Sequence, residues 1–246
     1  MQIIAHRGSS LLAPENTLAA AKLAWQEGAD ALEGDFRLTA DGQIVCLHDA
    51  TLKRTAGIDR QVSQCTLTEL QQYDVGNWKS QQYAGERVPT LNQLLATVPA
   101  GKQVYVEIKC GTEIIEPLAR TIAACGLAAS QIIPISLDLA VITAIKLAIP
   151  QCPAYWVVEF KRTSSGQWQP TADEILQSAV KANLDGLDLM ATGPINAEFV
   201  QRIRAAKIGL CVWTVDDPAL ARRLLDFGIT GITTNRPGWL RKELCG

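Results

Sequence analysis

Histidine occurs only twice in the 246 residues, and aromatic residues make up 6% of the chain. Any imidazole chemistry therefore has two candidates, His6 and His48. The seven cysteines (Cys46, Cys65, Cys110, Cys125, Cys152, Cys211 and Cys245) are odd in number and form no C-x-x-C pair. That pattern argues against a disulfide framework or a zinc knuckle and leaves buried thiols as the expectation. No run of Lys and Arg is present and the formal net charge is −2, so nucleic acid is not an expected partner. A small anion is still compatible, because a metal ion and one or two local cations can supply the positive potential. No apolar stretch approaches ~18 residues, and Met1 to His6 carries neither a basic n-region nor a long apolar h-region. The expectation is a cytoplasmic protein with no stable membrane anchor; nothing in the sequence signals an oligomeric state.

What is present is an ordinary core-forming composition, 48% hydrophobic and 20% charged. The length suits one α/β barrel, which typically runs to ~250 residues. Short β-branched or apolar runs alternate with segments of helical spacing, the pattern of parallel βα units. Eight such runs occur: Ile3 to Arg7, Ala31 to Leu38, Val104 to Lys109, Ile132 to Ser136, Ala154 to Val158, Gly186 to Met190, Gly209 to Val215 and Gly231 to Asn235. Eight is the number that closes a (β/α)8 TIM barrel. Between them, Ile175, Leu176, Ala179 and Val180 share one helical face, as do Leu220, Ala221, Leu224 and Leu225. Thr171 and Asp217-Pro218 are helix starts, and Gly28, Gly126 and Gly228 are stops.

One interval is too long. About 65 residues separate the second run from the third, roughly twice what one crossover helix needs. A small insertion at about residues 44–90 is expected, opening with Ile44 to Asp49 paired back after the Asp41-Gly42 turn. Such an excursion after a strand's C-terminal end lands on the catalytic face. The rest reads as one domain spanning residues 1–246.

Strand alternation then selects the chemistry. Glu33, Asp35 and Arg37 point to one side of their strand, and Tyr105, Glu107 and Lys109 to one side of the next, opposite Val104, Val106 and Ile108. In a barrel that side is the interior, where carboxylates need a compensating cation. Three of them brought together make an oxygen cage suited to a hard divalent ion, Mg2+ or Ca2+. His6-Arg7 and His48-Asp49 both fall at the ends of strand-like runs. One imidazole can accept a proton while another donates one, and Arg7 can bind a phosphoryl oxygen.

The ordered set His6-Arg7, Glu33-x-Asp35 and His48-Asp49 resembles the signature of the glycerophosphodiester phosphodiesterase family. Pro14-Glu15-Asn16-Thr17, Gly85 to Leu91, Glu107-Ile108-Lys109, Val212 to Val215 and Thr233 to Pro237 resemble further blocks of that family, so the likeness covers nearly the whole chain. The resemblance implies a metal held by Glu33, Asp35 and Glu107, acid and base work by His6 and His48, and phosphate contacts from Arg7 and Lys109. It places Trp213 near the glycerol moiety and makes the insertion a cap over the barrel mouth. The implied reaction is hydrolysis of glycerophosphodiesters, such as glycerophosphocholine or glycerophosphoethanolamine, to sn-glycerol 3-phosphate and an alcohol. Two positions depart from the family: Asn235 stands where Asp is usual, and Ile135-Ser136-Leu137 replaces a more usual Ser-Ser-Phe. Trp156, Glu159, Phe160 and Lys161 are expected to line the mouth. The competing readings are a related two-histidine phospholipase barrel that releases a cyclic phosphate, and a barrel kept only for binding.

Overall fold

The computed structural model describes residues 1–245. Eight parallel strands close into a ring: β1 (Gln2–Ala5), β2 (Ala31–Leu38), β4 (Gln103–Ile108), β5 (Ile132–Ser136), β6 (Tyr155–Val158), β9 (Gly186–Met190), β10 (Gly209–Trp213) and β11 (Gly231–Thr234). The remaining strands are β3 (Ile44–Cys46), which pairs with the C-terminal end of β2 on the edge away from β4, and a separate hairpin of β7 (Lys161–Arg162) and β8 (Trp168–Gln169). Closure comes from β1 pairing with both β11 and β2, in register Ala5↔Thr234 and Ala5↔Leu32. The eight expected runs are the eight barrel strands, trimmed by one or two residues at several ends.

The period-2 pattern explains the two layers of core. Val104, Val106 and Ile108 on β4 face outward into one cluster with Leu118 and Ile122 of a helix, while Leu187 and Leu189 on β9 pack outward with Ile175 and Ala179. The complementary faces meet inside, where Ile4, Ala31, Tyr105, Ile133, Ile135, Val157 and Cys211 fill the barrel below its mouth. Apolar packing at the bottom thus leaves the interior positions nearer the C-terminal strand ends for polar side chains. Helix α1 (Leu18–Gln26) begins at Thr17, whose side chain accepts from the Ala20 N–H, and Thr171 and Asp217 cap later helices in the same way. Gly28, Gly126 and Gly228 follow helices with φ of 81°, 78° and 97°.

Some details differ from expectation. Val180 is exposed at 58%, because the buried stripe of its helix is centred on Ile175 and Ala179. The expected run Gly209 to Val215 ends as a strand at Trp213, and beyond it Val215 turns into the outer core. Cys46, Cys65, Cys152 and Cys211 are buried, but Cys110 and Cys125 are half-buried and Cys245 is exposed.

The insertion starts as anticipated, with β3 antiparallel to β2 (Leu38↔Ile44, Phe36↔Cys46). It shields a small apolar cluster of its own, including Leu47, Leu52, Val62, Leu70 and Val88. The chain returns through the Cys46 N–H to Pro89 carbonyl bond (2.8 Å) and the helix Leu91–Leu95, capped by Thr90. Because it leaves from the C-terminal end of β2, its segment Leu47-His48-Asp49 lies at the barrel mouth.

Candidate active site

At the end of β1 the chain turns sharply: Arg7 has φ 55° and Gly8 φ 83°. A Cβ at Gly8 would come within 2.6 Å of the Ala20 backbone, so only glycine fits against α1 there. This turn aims both side chains of the His6-Arg7 pair at the mouth. The Arg7 N–H donates to Glu33 Oε2 (2.8 Å), its Nε lies 2.9 Å from Asp35 Oδ2, and its Nη1 donates to Glu15 (3.0 Å).

Glu33 and Asp35 on β2 and Glu107 on β4 are nearly fully buried. The register Asp35↔Glu107 sets them side by side, and one oxygen from each lies within 4.8 Å of the others. Glu33 Oε1 is buried with no hydrogen-bond partner, and Asp35 Oδ1 is buried with only an ion-pair contact. Lys109 Nζ sits 2.5 Å from Glu107 Oε1 and 3.1 Å from Asp35 Oδ1. Asn16 buttresses the same strand, donating through Nδ2 to Asp35 Oδ2 (2.8 Å) and accepting from the Asp35 N–H (3.1 Å).

Burial and the neighbouring Asp35 push the Glu33 carboxyl up to about 8, and burial with Asp35 pushes Glu107 up to about 7. Asp35 feels the same burial, but Arg7 and Lys109 outweigh it and hold its carboxyl below the usual range. The unpaired Glu33 oxygen and the all-oxygen donor set fit a hard divalent cation, so the cluster can hold a metal.

The two histidines face the same cavity, which Arg7, Glu33, Glu107, Lys109, Asp188 and Trp213 also line. His6 Nδ1 is 2.7 Å from Asn235 Oδ1, and its Nε2 is 4.0 Å from Glu33 Oε2. Burial, with Arg7 alongside, lowers the His6 pKa. His48 is half-buried, with Nδ1 2.8 Å from Asp49 Oδ1. Arg54 donates to Asp49 Oδ2 (2.8 Å) and to both oxygens of Glu15 (2.8 Å each), which in turn accepts from Arg7. This ladder ties the insertion to the first barrel turn; its Arg54 hydrogen bonds hold Asp49 down at about 2.

All eight sequence-selected residues therefore meet at one cavity except Asp35, which lies just behind it. Trp213 donates from Nε1 to the Asp188 carbonyl (3.1 Å). Of the four residues expected at the mouth, only Glu159 lines this cavity; Phe160 is 3% exposed and packs in the outer core, and Lys161 points into solvent. Reasoning from sequence overlooked Arg54, Asp188 and Asp216. Asp188 was reachable, since it alternates against the outward Leu187 and Leu189. Arg37, placed inward by alternation, bonds two backbone carbonyls, His48 through Nε (2.9 Å) and Nη2 (2.7 Å) and Lys109 through Nη1 (2.8 Å).

Comparison with known proteins identifies the family. Residues 6–239 match the Glycerophosphoryl diester phosphodiesterase family. A glycerophosphodiester phosphodiesterase of Bacillus subtilis (strain 168) is 31% identical over 257 aligned residues, covering 97% of this chain and 85% of that one. A phosphodiesterase of Oleispira antarctica, solved in complex with the product sn-glycerol-3-phosphate, superposes with a TM-score of 0.88 at 28% identity, covering 100% and 97% of the two chains. A glycerophosphodiester phosphodiesterase of Agrobacterium tumefaciens, 24% identical, shares the fold with a TM-score of 0.82 over 98% of this chain and 99% of that one. The chain belongs to the glycerophosphoryl diester phosphodiesterase family and is an enzyme of that class, a phosphoric diester hydrolase.

Proposed function

We propose that the protein hydrolyses small glycerophosphodiesters, such as glycerophosphocholine and glycerophosphoethanolamine, to sn-glycerol 3-phosphate and an alcohol, using one Mg2+ or Ca2+ and His6 and His48 as acid and base. The observation that carries this reading is one cavity at the C-terminal mouth of the barrel lined by two histidines, two cations, Glu33 and Glu107, with Asp35 clustered against those two carboxylates just behind it. The product bound in the Oleispira antarctica relative supports the substrate class.

Glu33, Asp35 and Glu107 would hold the ion. When bound, it supplies Lewis-acid polarisation of the phosphate and lowers the pKa of a coordinated hydroxyl. Arg7 and Lys109 hold phosphate oxygens, with Lys109 released from the carboxylates it now neutralises. One histidine Nε2 takes the proton of the glycerol 2-hydroxyl, whose oxygen attacks phosphorus; the other histidine protonates the departing alcohol oxygen as that P–O bond breaks. Water then opens the five-membered cyclic phosphate with the two histidine roles exchanged. Trp213 walls the glycerol side, and residues 44–90 act as a cap within a single domain of residues 1–246. Seven unpaired cysteines support a reducing, cytoplasmic setting. Among the described residues no helix is long and apolar enough to cross a membrane.

The test is a coupled assay for glycerol 3-phosphate over a panel of glycerophosphodiesters and lysophospholipids with Mg2+, Ca2+ or chelator. Metal-dependent release from the small diesters is expected. Turnover that survives exhaustive chelation would remove the carboxylate cage from the reaction.

A further inference from the structure

Asp188 belongs to neither the carboxylate cage nor the acid/base pair, yet it is 3% exposed and lines the same cavity. It projects inward because Leu187 and Leu189 take the outer face of β9. Its Oδ1 is buried with no hydrogen-bond partner, and among the described residues no Lys or Arg pairs with its carboxyl. Each of the other buried acids has a cation or N–H on at least one oxygen: Asp35 from Arg7 and Lys109, Glu107 from Lys109, and Glu33 from the Arg7 N–H. A buried carboxyl left without a partner is costly, and in native sites such a group commonly waits for a ligand.

The ring order says which part of a ligand reaches it. β9 stands diametrically opposite β2, four strands away in either direction, across the interior from Glu33 and Asp35. Trp213, bonded to the Asp188 carbonyl, forms the adjoining wall. A glycerol whose phosphate and attacking 2-hydroxyl sat at the β2 and β4 carboxylates would reach toward β9 with its remaining carbon, leaving the open mouth for the larger alcohol group.

Resting on the glycerophosphodiester reading above, we infer that Asp188 is the specificity residue for the glycerol end of the substrate, bonding its free primary hydroxyl. Burial, reinforced by Glu107 and Glu33, pushes the Asp188 carboxyl far up. The assignment does not depend on its charge, because an acid can donate to or accept from a hydroxyl and a carboxylate can accept from one. A diester whose primary hydroxyl is absent or acylated, as in a lysophospholipid, leaves Asp188 unpartnered and is rejected.

The experiment compares kcat/KM for glycerophosphocholine with that for the phosphocholine diester of propane-1,2-diol, which keeps the attacking hydroxyl but lacks the primary one. The wild type is expected to prefer the glycerol substrate by roughly 100-fold or more, as sites built to bond a hydroxyl do. Asp188→Asn, which still bonds a hydroxyl, keeps most of that preference. Asp188→Leu is expected to bring the two substrates within about 3-fold of each other, chiefly by slowing the glycerol substrate. Equal wild-type rates overturn the inference without any variant, and so does an Asp188→Leu enzyme that keeps its preference or changes only its choice of leaving alcohol. If the wild type turns over neither substrate but cleaves other diesters, the glycerophosphodiester reading itself fails.

Discussion

His6 Nδ1 lies 2.7 Å from Asn235 Oδ1, and the amide that accepts it is oriented from behind by Asp216. Asn235 donates to Asp216 Oδ2 through Nδ2 (2.6 Å) and to Asp216 Oδ1 through its N–H (2.8 Å), while Thr234 Oγ1 donates to the same oxygen (2.8 Å). A carboxylate only accepts, so Nδ2 must face Asp216 and Oδ1 must face the imidazole. His6 is therefore held as the Nδ1–H tautomer with the Nε2 lone pair free toward the cavity.

Loss of this support should slow turnover without abolishing substrate binding. Asn235→Leu is expected to lower kcat by about 10- to 100-fold with a small change in KM, the usual size for an orienting partner. The exchange Asn235→Asp with Asp216→Asn keeps the geometry, the amide now donating from position 216, but places a carboxylate on Nδ1, raising the pKa of a histidine that burial and Arg7 hold low. With neutral His6 as the first base, the acidic limb of the kcat/KM–pH profile should move to higher pH. A profile in which neither limb moves would show that His6 does not carry the proton.

His6→Ala and His48→Ala should each cost ~100-fold or more in kcat, the typical contribution of general acid–base catalysis. Retention of more than about a tenth of wild-type turnover in either variant would dismiss that residue from the proton transfers. The check is steady-state kinetics at saturating metal, with a melting curve to confirm folding.

Metal binding should release protons. Glu33 and Glu107 sit at about 8 and about 7 in the metal-free protein, above the usual value of 4.5, so near pH 6 both are largely protonated and must ionise to become ligands. Calorimetry in buffers of different ionisation enthalpy measures this directly, and binding with no proton release at pH 6 would contradict it. Because the folded metal-free protein binds these protons more tightly than the unfolded chain, its stability should fall as pH rises from about 4.5 through about 8. Added Mg2+ or Ca2+ should raise the melting temperature most toward the alkaline end.

Gly8→Ala combines a positive φ with a Cβ 2.6 Å from the Ala20 backbone. A loss of about 2 kcal/mol or more is expected, and activity should fall further because the displaced turn carries His6 and Arg7. Urea titration with parallel kinetics separates the two effects. Unchanged stability would mean that α1 yields to the methyl group.

Arg37→Met should loosen the insertion on the barrel. Its guanidinium bonds the carbonyls of His48 and Lys109, and no other side chain donates to either among the described residues. Hydrogen bonds from a charged donor typically contribute ~1.5–3 kcal/mol, so a lower melting temperature and slower turnover should appear together. Fast proteolysis confined to residues 44–90 would locate the loosening.

The amino-acid sequence by itself determined the eight strands, the inward set Glu33, Asp35 and Glu107, and the pairing of β3 after Asp41-Gly42, because each depends on alternation or turn chemistry within a few residues. It also marked the helix starts at Thr171 and Asp217. Where Val215 points depended on where β10 stops, which the pattern of that one strand does not state. Only the tertiary structure decided what each functional side chain touches. Asn235 meets His6 across 229 residues because β11 closes the ring against β1. Asp188 stands unpaired because the eight-strand order puts β9 three strands away from β1 and β4, whose ends carry the cations Arg7 and Lys109. Such contacts are set by register and ring closure, which are properties of all the strands together.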